Sequence, residues 1–145
     1  MTALFILLLV ALDQATKHVV RASFALHESR PVIPGFFSLT YVQNRGAAWG
    51  ILLVALAVVM LVVLARYRAK IFGDGLLGRI AFILLSGGII GNLIDRAVLG
   101  YVVDFLDFFV GQSHFPAFNV ADSCICVGVG LYMVASLALP QREGR

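Results

Sequence analysis

Four stretches of this chain are almost unbroken in apolar residues, and polar residues gather at their ends. They cover about residues 2–20, 47–67 (AAWGILLVALAVVMLVVLARY), 76–97 (LLGRIAFILLSGGIIGNLIDRA) and 119–139 (NVADSCICVGVGLYMVASLAL). A bilayer core takes about 20 residues of helix. In lipid every backbone N–H and C=O needs a partner inside its own segment, so each run is predicted to be a spanning helix. Between the first two runs, residues 21–44 open polar (SFALHESR) and turn at Pro31 and at Pro34-Gly35. The segment then alternates Phe37, Leu39 and Tyr41 with Ser38, Thr40 and Val42. That period of two in β-formers predicts a short sheet or hairpin at the membrane surface, with Phe36–Tyr41 at its centre. The link RAKIFGDG is short and basic, and LGYVVDFLDFFVGQSHFPAF carries aromatics suited to interfacial depth. The expected fold is an all-α membrane protein, one domain over 1–145, with four transmembrane helices and a small extracytoplasmic β-sheet in the first outer loop.

Composition agrees with that pattern. The chain is 61% hydrophobic and 13% charged, where soluble domains carry about 25% charged residues. The first run lacks a basic leader, and DQATKHVVR follows it in place of a small-residue cleavage site, so it reads as a retained anchor. Arg66, Arg68, Lys70 and Arg79 cluster between the second and third runs, and Arg142 and Arg145 lie on the tail. By the bias of basic residues these segments, and the N-terminus, are expected in the cytoplasm. The opposite side then holds Asp13, Glu28, Asp95, Asp104, Asp107 and Asp122, six of the eight acids. The formal charge of +3 calls for no nucleic-acid partner. Cys124 and Cys126, two apart on a helix, point to different faces and read as small buried residues. His18, His27 and His114 are scattered and read as interfacial, so no metal-ligand cluster is expected.

Ionisable residues at membrane depth are costly and mark function by default. Asp13 and Lys17 share a helical face, which a simple i,i+4 ion pair would explain. Asn44 and Gly46 open the second run, and Asn92, Asp95 and Arg96 close the third. Gly88, Asn92 and Arg96 lie one turn apart on one face, with Gly87 and Gly91 beside them. Small residues there admit a neighbouring backbone or a substrate, helix packing being the plainer reason. Asn119 and Asp122 have capping-box spacing, and that local role accounts for both. It leaves Asp104 unexplained in its apolar VVDF setting. Two carboxylates at the rim of a helix bundle suit a shared-proton pair, because neighbouring like charges cannot both ionise.

The motifs DQATK (13–17), NRGAAW (44–49), GGIIGNLIDR (87–96), VVDF (102–105) and FNVADS (118–123) occur in order among the four runs. In this the chain resembles signal peptidase II, the lipoprotein signal peptidases of the bacterial inner membrane, over nearly its whole length. The resemblance implies an aspartic endopeptidase that removes the signal peptide from diacylglyceryl prolipoproteins, cutting before the lipidated cysteine. It places the catalytic pair at Asp104 and Asp122, with support from Asp13, Lys17, Asn44, Gly46, Gly88, Asn92, Arg96, Asn119 and Ala121. It implies no cofactor and no metal, and a monomer working among membrane lipids with its site near the outer face. Asp107 falls outside the catalytic motif and reads as interfacial. Many relatives carry a further polar-aromatic stretch after NxGAA(F/W), where this chain passes at once into GILLVALAVV.

Two other classes fit part of the pattern. A proton-coupled transporter would use Asp13, Asp95 and Asp122 near the bilayer midplane. A structural bundle would use its polar residues as interhelical glue and would tolerate Asp-to-Asn changes. For the orientation, a cysteine placed at His27 is expected to react with a membrane-impermeant reagent applied from outside. Labelling that requires permeabilised membranes would reverse the assignment.

Overall fold

The computed structural model of the chain describes residues 1–46 and 50–138. The expectations for residues 47–49, Leu139 and the tail with Arg142 and Arg145 lie outside the described residues. The elements in chain order are α1 (Thr2–Ser23), β1 (Ser29–Ile33), β2 (Phe37–Asn44), α2 (Gly50–Arg66), α3 (Arg68–Phe72), α4 (Leu76–Leu99), β3 (Val102–Val110), β4 (Ser113–His114) and α5 (Val120–Ala138). Helices α1, α4 and α5 are long and apolar enough to cross a membrane, while α2 is as apolar but shorter. The basic link also holds a short helix that the pattern did not predict. In α3 the side chain of Phe72 is buried and meets Phe82 and Tyr132 edge-on, closing one end of the bundle.

The sheet is larger than the sequence suggested. It has four antiparallel strands in the order β1-β2-β3-β4, so half of it comes from the loop after α4 rather than from the first outer loop. VVDFLDFFV was expected only as an aromatic interfacial segment. Its two acids and consecutive apolar residues hide a strand that is buried along most of its length. The turn that starts it is built by Gly100, which ends α4 with φ of 78° and donates its N–H to the Arg96 carbonyl. A left-handed residue there suits glycine, which has no Cβ to strain.

Burial is inverted relative to a water-soluble protein. The buried residues of α1 are Asp13, Lys17 and Val20, while Leu4, Leu7, Leu8 and Leu12 on the same helix are exposed. Lipid is as apolar as leucine, so the apolar faces need no cover and the polar ones do. One apolar cluster, with Val20, Tyr41, Val103 and Phe105, joins α1 to the sheet. Another, with Leu64, Phe72, Ala81 and Leu85, fills the far end of the bundle. Cys126 is exposed and Cys124 half-buried, which corrects the expectation that both are buried; neither is bonded to the other.

The α4–α5 contact depends on missing side chains. A Cβ at Gly88 would collide with the carbonyl oxygen of Ala121 and with Ile125, whereas one at Gly130 would meet nothing within 4 Å. Gly88→Ala is therefore expected to lower stability in detergent by about 1–3 kcal/mol through overpacking. Gly130→Ala is expected to be neutral, or stabilising by up to about 1 kcal/mol through helix propensity. Thermal melts of the two purified variants check the pair.

Candidate active site

A buried cation lies at the centre of the polar end of the bundle. Lys17 Nζ stands 2.9 Å from Asp13 Oδ2 and 3.1 Å from Asp95 Oδ2, all three side chains about 2% exposed. It also donates to Asn92 Oδ1 at 2.9 Å. Each carboxylate also accepts from a backbone N–H. Asp13 Oδ1 accepts the Ala121 N–H at 3.0 Å, capping α5 from another helix. Asp95 Oδ2 accepts the Val103 N–H at 3.0 Å and so fixes the start of β3. Gln14 bridges the two acids, donating to Asp95 Oδ1 and Asp13 Oδ2. Gly91 leaves room for the Asp13 carboxylate, which a Cβ there would strike. Among the described residues no buried side-chain nitrogen or oxygen lacks a partner, as a low-dielectric interior requires.

The cation sets the direction of one amide, and the cap of α5 sets that of another. A lysine ammonium only donates, so the oxygen of Asn92 faces it and the Asn92 NH₂ faces away. That NH₂ donates to Asp122 Oδ1 at 2.7 Å. The oxygen of Asn119 accepts the Asp122 N–H at 2.9 Å, and its NH₂ donates to Asp104 Oδ1 at 2.7 Å and to Asn92 Oδ1 at 3.2 Å. A continuous path Asp122–Asn92–Asn119–Asp104 thus joins the two carboxylates, with both NH₂ groups turned toward them. On the other side Asn44 donates to Asp104 Oδ2 at 3.0 Å, and its own oxygen accepts the Gly46 N–H. That tight turn holds Gly46 at φ of 63°, a conformation that favours glycine. Asn44 reaches Asp104 because β2 pairs antiparallel with β3, Asn44 opposite Val102 and Val42 opposite Asp104, which makes them diagonal neighbours on one face.

Asp104 is 2% exposed. Burial pushes its carboxyl up from the ordinary 3.8 to about 6, against the pull of the Asn44 hydrogen bond. The neighbouring Asp122 adds to the rise, and Asn119 and Lys17 temper it. Asp122 is half-buried and also accepts the Asn119 N–H through Oδ2 at 3.2 Å, so the capping box forms as its spacing predicted. The capping and paired-acid readings are compatible: the box uses Oδ2, and Oδ1 faces the Asn92 amide. A carboxyl whose hold on a proton is strengthened by burial, with a second carboxyl joined to it through amides, forms a pair able to give and take protons around a water.

Most of the residues singled out in the sequence come together here: Asp104, Asp122, Asp13, Lys17, Asn44, Gly46, Gly88, Asn92, Asn119 and Ala121. Arg96 does not join them. Its guanidinium contacts the Asn92 carbonyl at 3.4 Å and lines a separate cavity with Arg45, Ile51 and Val54. Asp95 and Gln14 were missed as site residues, although Asp95 follows Asn92 by three on one face. Asp107, outside the pair, is buried among the strands, where it accepts from Thr40 at 2.9 Å and pairs with His114 at 2.8 Å.

A family model described as Signal peptidase (SPase) II matches residues 5–138. The lipoprotein signal peptidase of Syntrophotalea carbinolica is 50% identical over 137 residues, covering 88% of this chain and 85% of the relative. That of Photorhabdus laumondii subsp. laumondii is 41% identical over 152 residues, covering 95% and 88%. Two solved bacterial membrane enzyme structures, determined in meso at 2.3 and 1.9 Å resolution, superpose with TM-scores of 0.83 and 0.84 at 31% and 32% identity. They cover 99% and 96% of this chain, and this chain covers 94% of each.

The charge cluster generates an ordered expectation. Lys17→Met leaves two buried carboxylates without their cation and is expected to cost about 3–5 kcal/mol. Asp13→Asn retains an acceptor for Ala121 and leaves Lys17 paired with Asp95, so its cost is expected to be well below that. Melting curves in detergent that place Asp13→Asn below Lys17→Met would overturn this account of the cluster.

Proposed function

We propose that this chain, which belongs to the signal peptidase II family, cleaves diacylglyceryl prolipoproteins before the lipidated cysteine with Asp104 and Asp122 as its catalytic pair. It is a membrane-embedded aspartic endopeptidase that removes signal peptides. The observation that carries the residue assignment is the amide-bridged pair of carboxyls, one of them pushed up to about 6 by burial. The acids lie at one end of the helix bundle, which suits a scissile bond at the membrane interface better than a transport path through the midplane.

In the first step Asp122 takes a proton from water as its oxygen adds to the scissile carbonyl carbon, and Asp104 gives its proton to the carbonyl oxygen. The gem-diol intermediate then collapses. Asp104 recovers a proton from one hydroxyl, the C–N bond breaks, and Asp122 protonates the leaving nitrogen. Both acids return to their starting states and no net proton is consumed within the site. Asn92, Asn119 and Asn44 hold the carboxyls through donors fixed before substrate arrives, and such preorganisation avoids reorganisation cost during the reaction. The α2 helix completes a four-span bundle. The short basic link and both termini face the cytoplasm, the sheet lies at the outer surface, and the enzyme acts as a monomer in the inner membrane.

Incubating the purified protein with a diacylglyceryl prolipoprotein is expected to yield the shortened product. Asp104→Asn and Asp122→Asn are each expected to lose at least about 10³-fold in turnover while still folding. Near-normal cleavage by either would sink the assignment. Because the Asp104 proton is held up to about pH 6, kcat/KM is expected to fall as pH rises through that region. Asn44→Ala removes a donor that favours the ionised Asp104, so the alkaline limb is expected to move to higher pH. A limb that moves down, or stays in place, contradicts the assignment of Asp104 as the proton donor.

A further inference from the structure

Where α1 meets the sheet, at the polar end of the bundle, a cavity of about 370 Å³ is lined by His18, Arg21, Ala22, Tyr41 and Tyr101. It uses none of the groups assigned to bond cleavage. We propose that it seats the phosphodiester headgroup of a membrane phospholipid.

The lining is rich in donors. Arg21 offers a guanidinium that makes no hydrogen bond or ion pair among the described residues, and no carboxylate lines the cavity. The two phenols supply a further donor by simple counting. Tyr41 accepts from Gln43 Nε2 at 3.0 Å and shares one proton with Tyr101 at 3.5 Å. Two phenols carry two protons, so one remains to donate elsewhere. Tyr41 is 6% exposed, which fixes the floor of the seat. A planar guanidinium beside a hydroxyl donor matches the oxygens of a phosphate group.

The surface below the cavity points to a lipid as the source of that phosphate. The helical face that presents His18 and Ala22 continues through Leu4, Leu8, Ala11 and Ala15, all exposed. From His18 to Leu8 the helix rises about 15 Å, the depth of one leaflet of the hydrocarbon core. A headgroup at Arg21 therefore has an apolar track for its chains directly beneath it, and tyrosines are at home at headgroup depth. The seat also touches the proton machinery at one remove. Tyr41 lies three residues before Asn44 on β2, and Tyr101 three before Asp104 on the approach to β3. A bound headgroup would clamp both segments where they leave the membrane surface.

The test is ligand-dependent melting of the full chain in a maltoside detergent. It compares phosphatidylglycerol with diacylglycerol, which lacks the phosphate, and with inorganic phosphate, which lacks the chains. A ligand that binds only the folded state raises Tm with concentration. Phosphatidylglycerol is expected to raise it and inorganic phosphate is not. Arg21→Gln is expected to raise the half-saturating lipid concentration at least about tenfold, the loss typical of a hydrogen bond to a charged group. Tyr101→Phe keeps the ring and removes one hydroxyl, so it reports even where Arg21→Gln folds poorly. It is expected to raise that concentration about threefold to tenfold. Wild-type concentration dependence in both variants overturns the site. A shift with diacylglycerol equal to that with phosphatidylglycerol overturns the role of the phosphate, and an equal shift with inorganic phosphate overturns the lipid as its source. None of these readouts requires cleavage, so failure here leaves the assignment of Asp104 and Asp122 untouched.

Discussion

One buried ammonium organises this protein. Lys17 is the cation between Asp13 and Asp95, and the two acids hold the first turn of α5 and the first residues of β3 through backbone N–H groups. Removing charge from water costs several kcal/mol per ion, recovered only when every lone pair and proton finds a partner. Here they do, and the partners come from α1, α4, α5 and the sheet together. The cluster is thus less a source of stability than a constraint on geometry: the four segments satisfy these charges in one relative arrangement. In lipid, where apolar packing gives helices little reason to choose one neighbour over another, such a constraint sets the fold.

The same ammonium reaches the candidate chemistry through Asn92. Its charge forces the amide oxygen inward and sends the NH₂ toward Asp122, while Asn119, already committed as a helix cap, sends its NH₂ toward Asp104. Two carboxyls that would repel are held by donors whose direction is decided elsewhere. This is why residues that look like ordinary structural features in the sequence serve the site as well. The capping box of α5 both starts a helix and places an acid.

How much of this was legible depends on whether a signal was local. The apolar runs predicted the helices to within a few residues, because lipid imposes length and hydropathy on each run by itself. The i,i+4 relation of Asp13 to Lys17 and the capping box of Asn119 and Asp122 were readable from spacing, while the roles of the two acids and the two asparagines came from the motifs of the resemblance. What failed was non-local. Strand β3 was hidden because burial on both faces removes the alternation that marks β2, whose segment Phe37–Val42 was recognised. Asp95 looked like a helix-end polar residue, and its importance comes from Lys17, 78 positions earlier in the chain. Arg96, which shares a face with Asn92 and which the resemblance placed at the carboxyls, is carried by the last turn of α4 to the side of Arg45. Spacing fixes a face and does not fix what a long side chain does at the end of it.

Strand parity explains why one acid of VVDFLDFF belongs to the pair and the other does not. Successive side chains of a strand alternate between faces, so Asp104 and Asp107, an odd number apart, point to opposite sides. Asp104 faces Asn44 and the amide bridge to α4 and α5. Asp107 faces Thr40, which also contacts Ser29, and reaches His114 across the β3–β4 turn. Its oxygens are committed to holding three strands in register at the far end of the sheet. Two aspartates three residues apart in one apolar strand thus take unrelated tasks, and the period of the strand separates them. A one-residue slip of β3 against β2 would exchange their faces, bringing Asp107 toward the bundle and withdrawing Asp104 from its amides. The bond from Val103 N–H to Asp95 pins the strand at its other end and opposes that slip, so the ion cluster under α1 also decides which carboxyl enters the site.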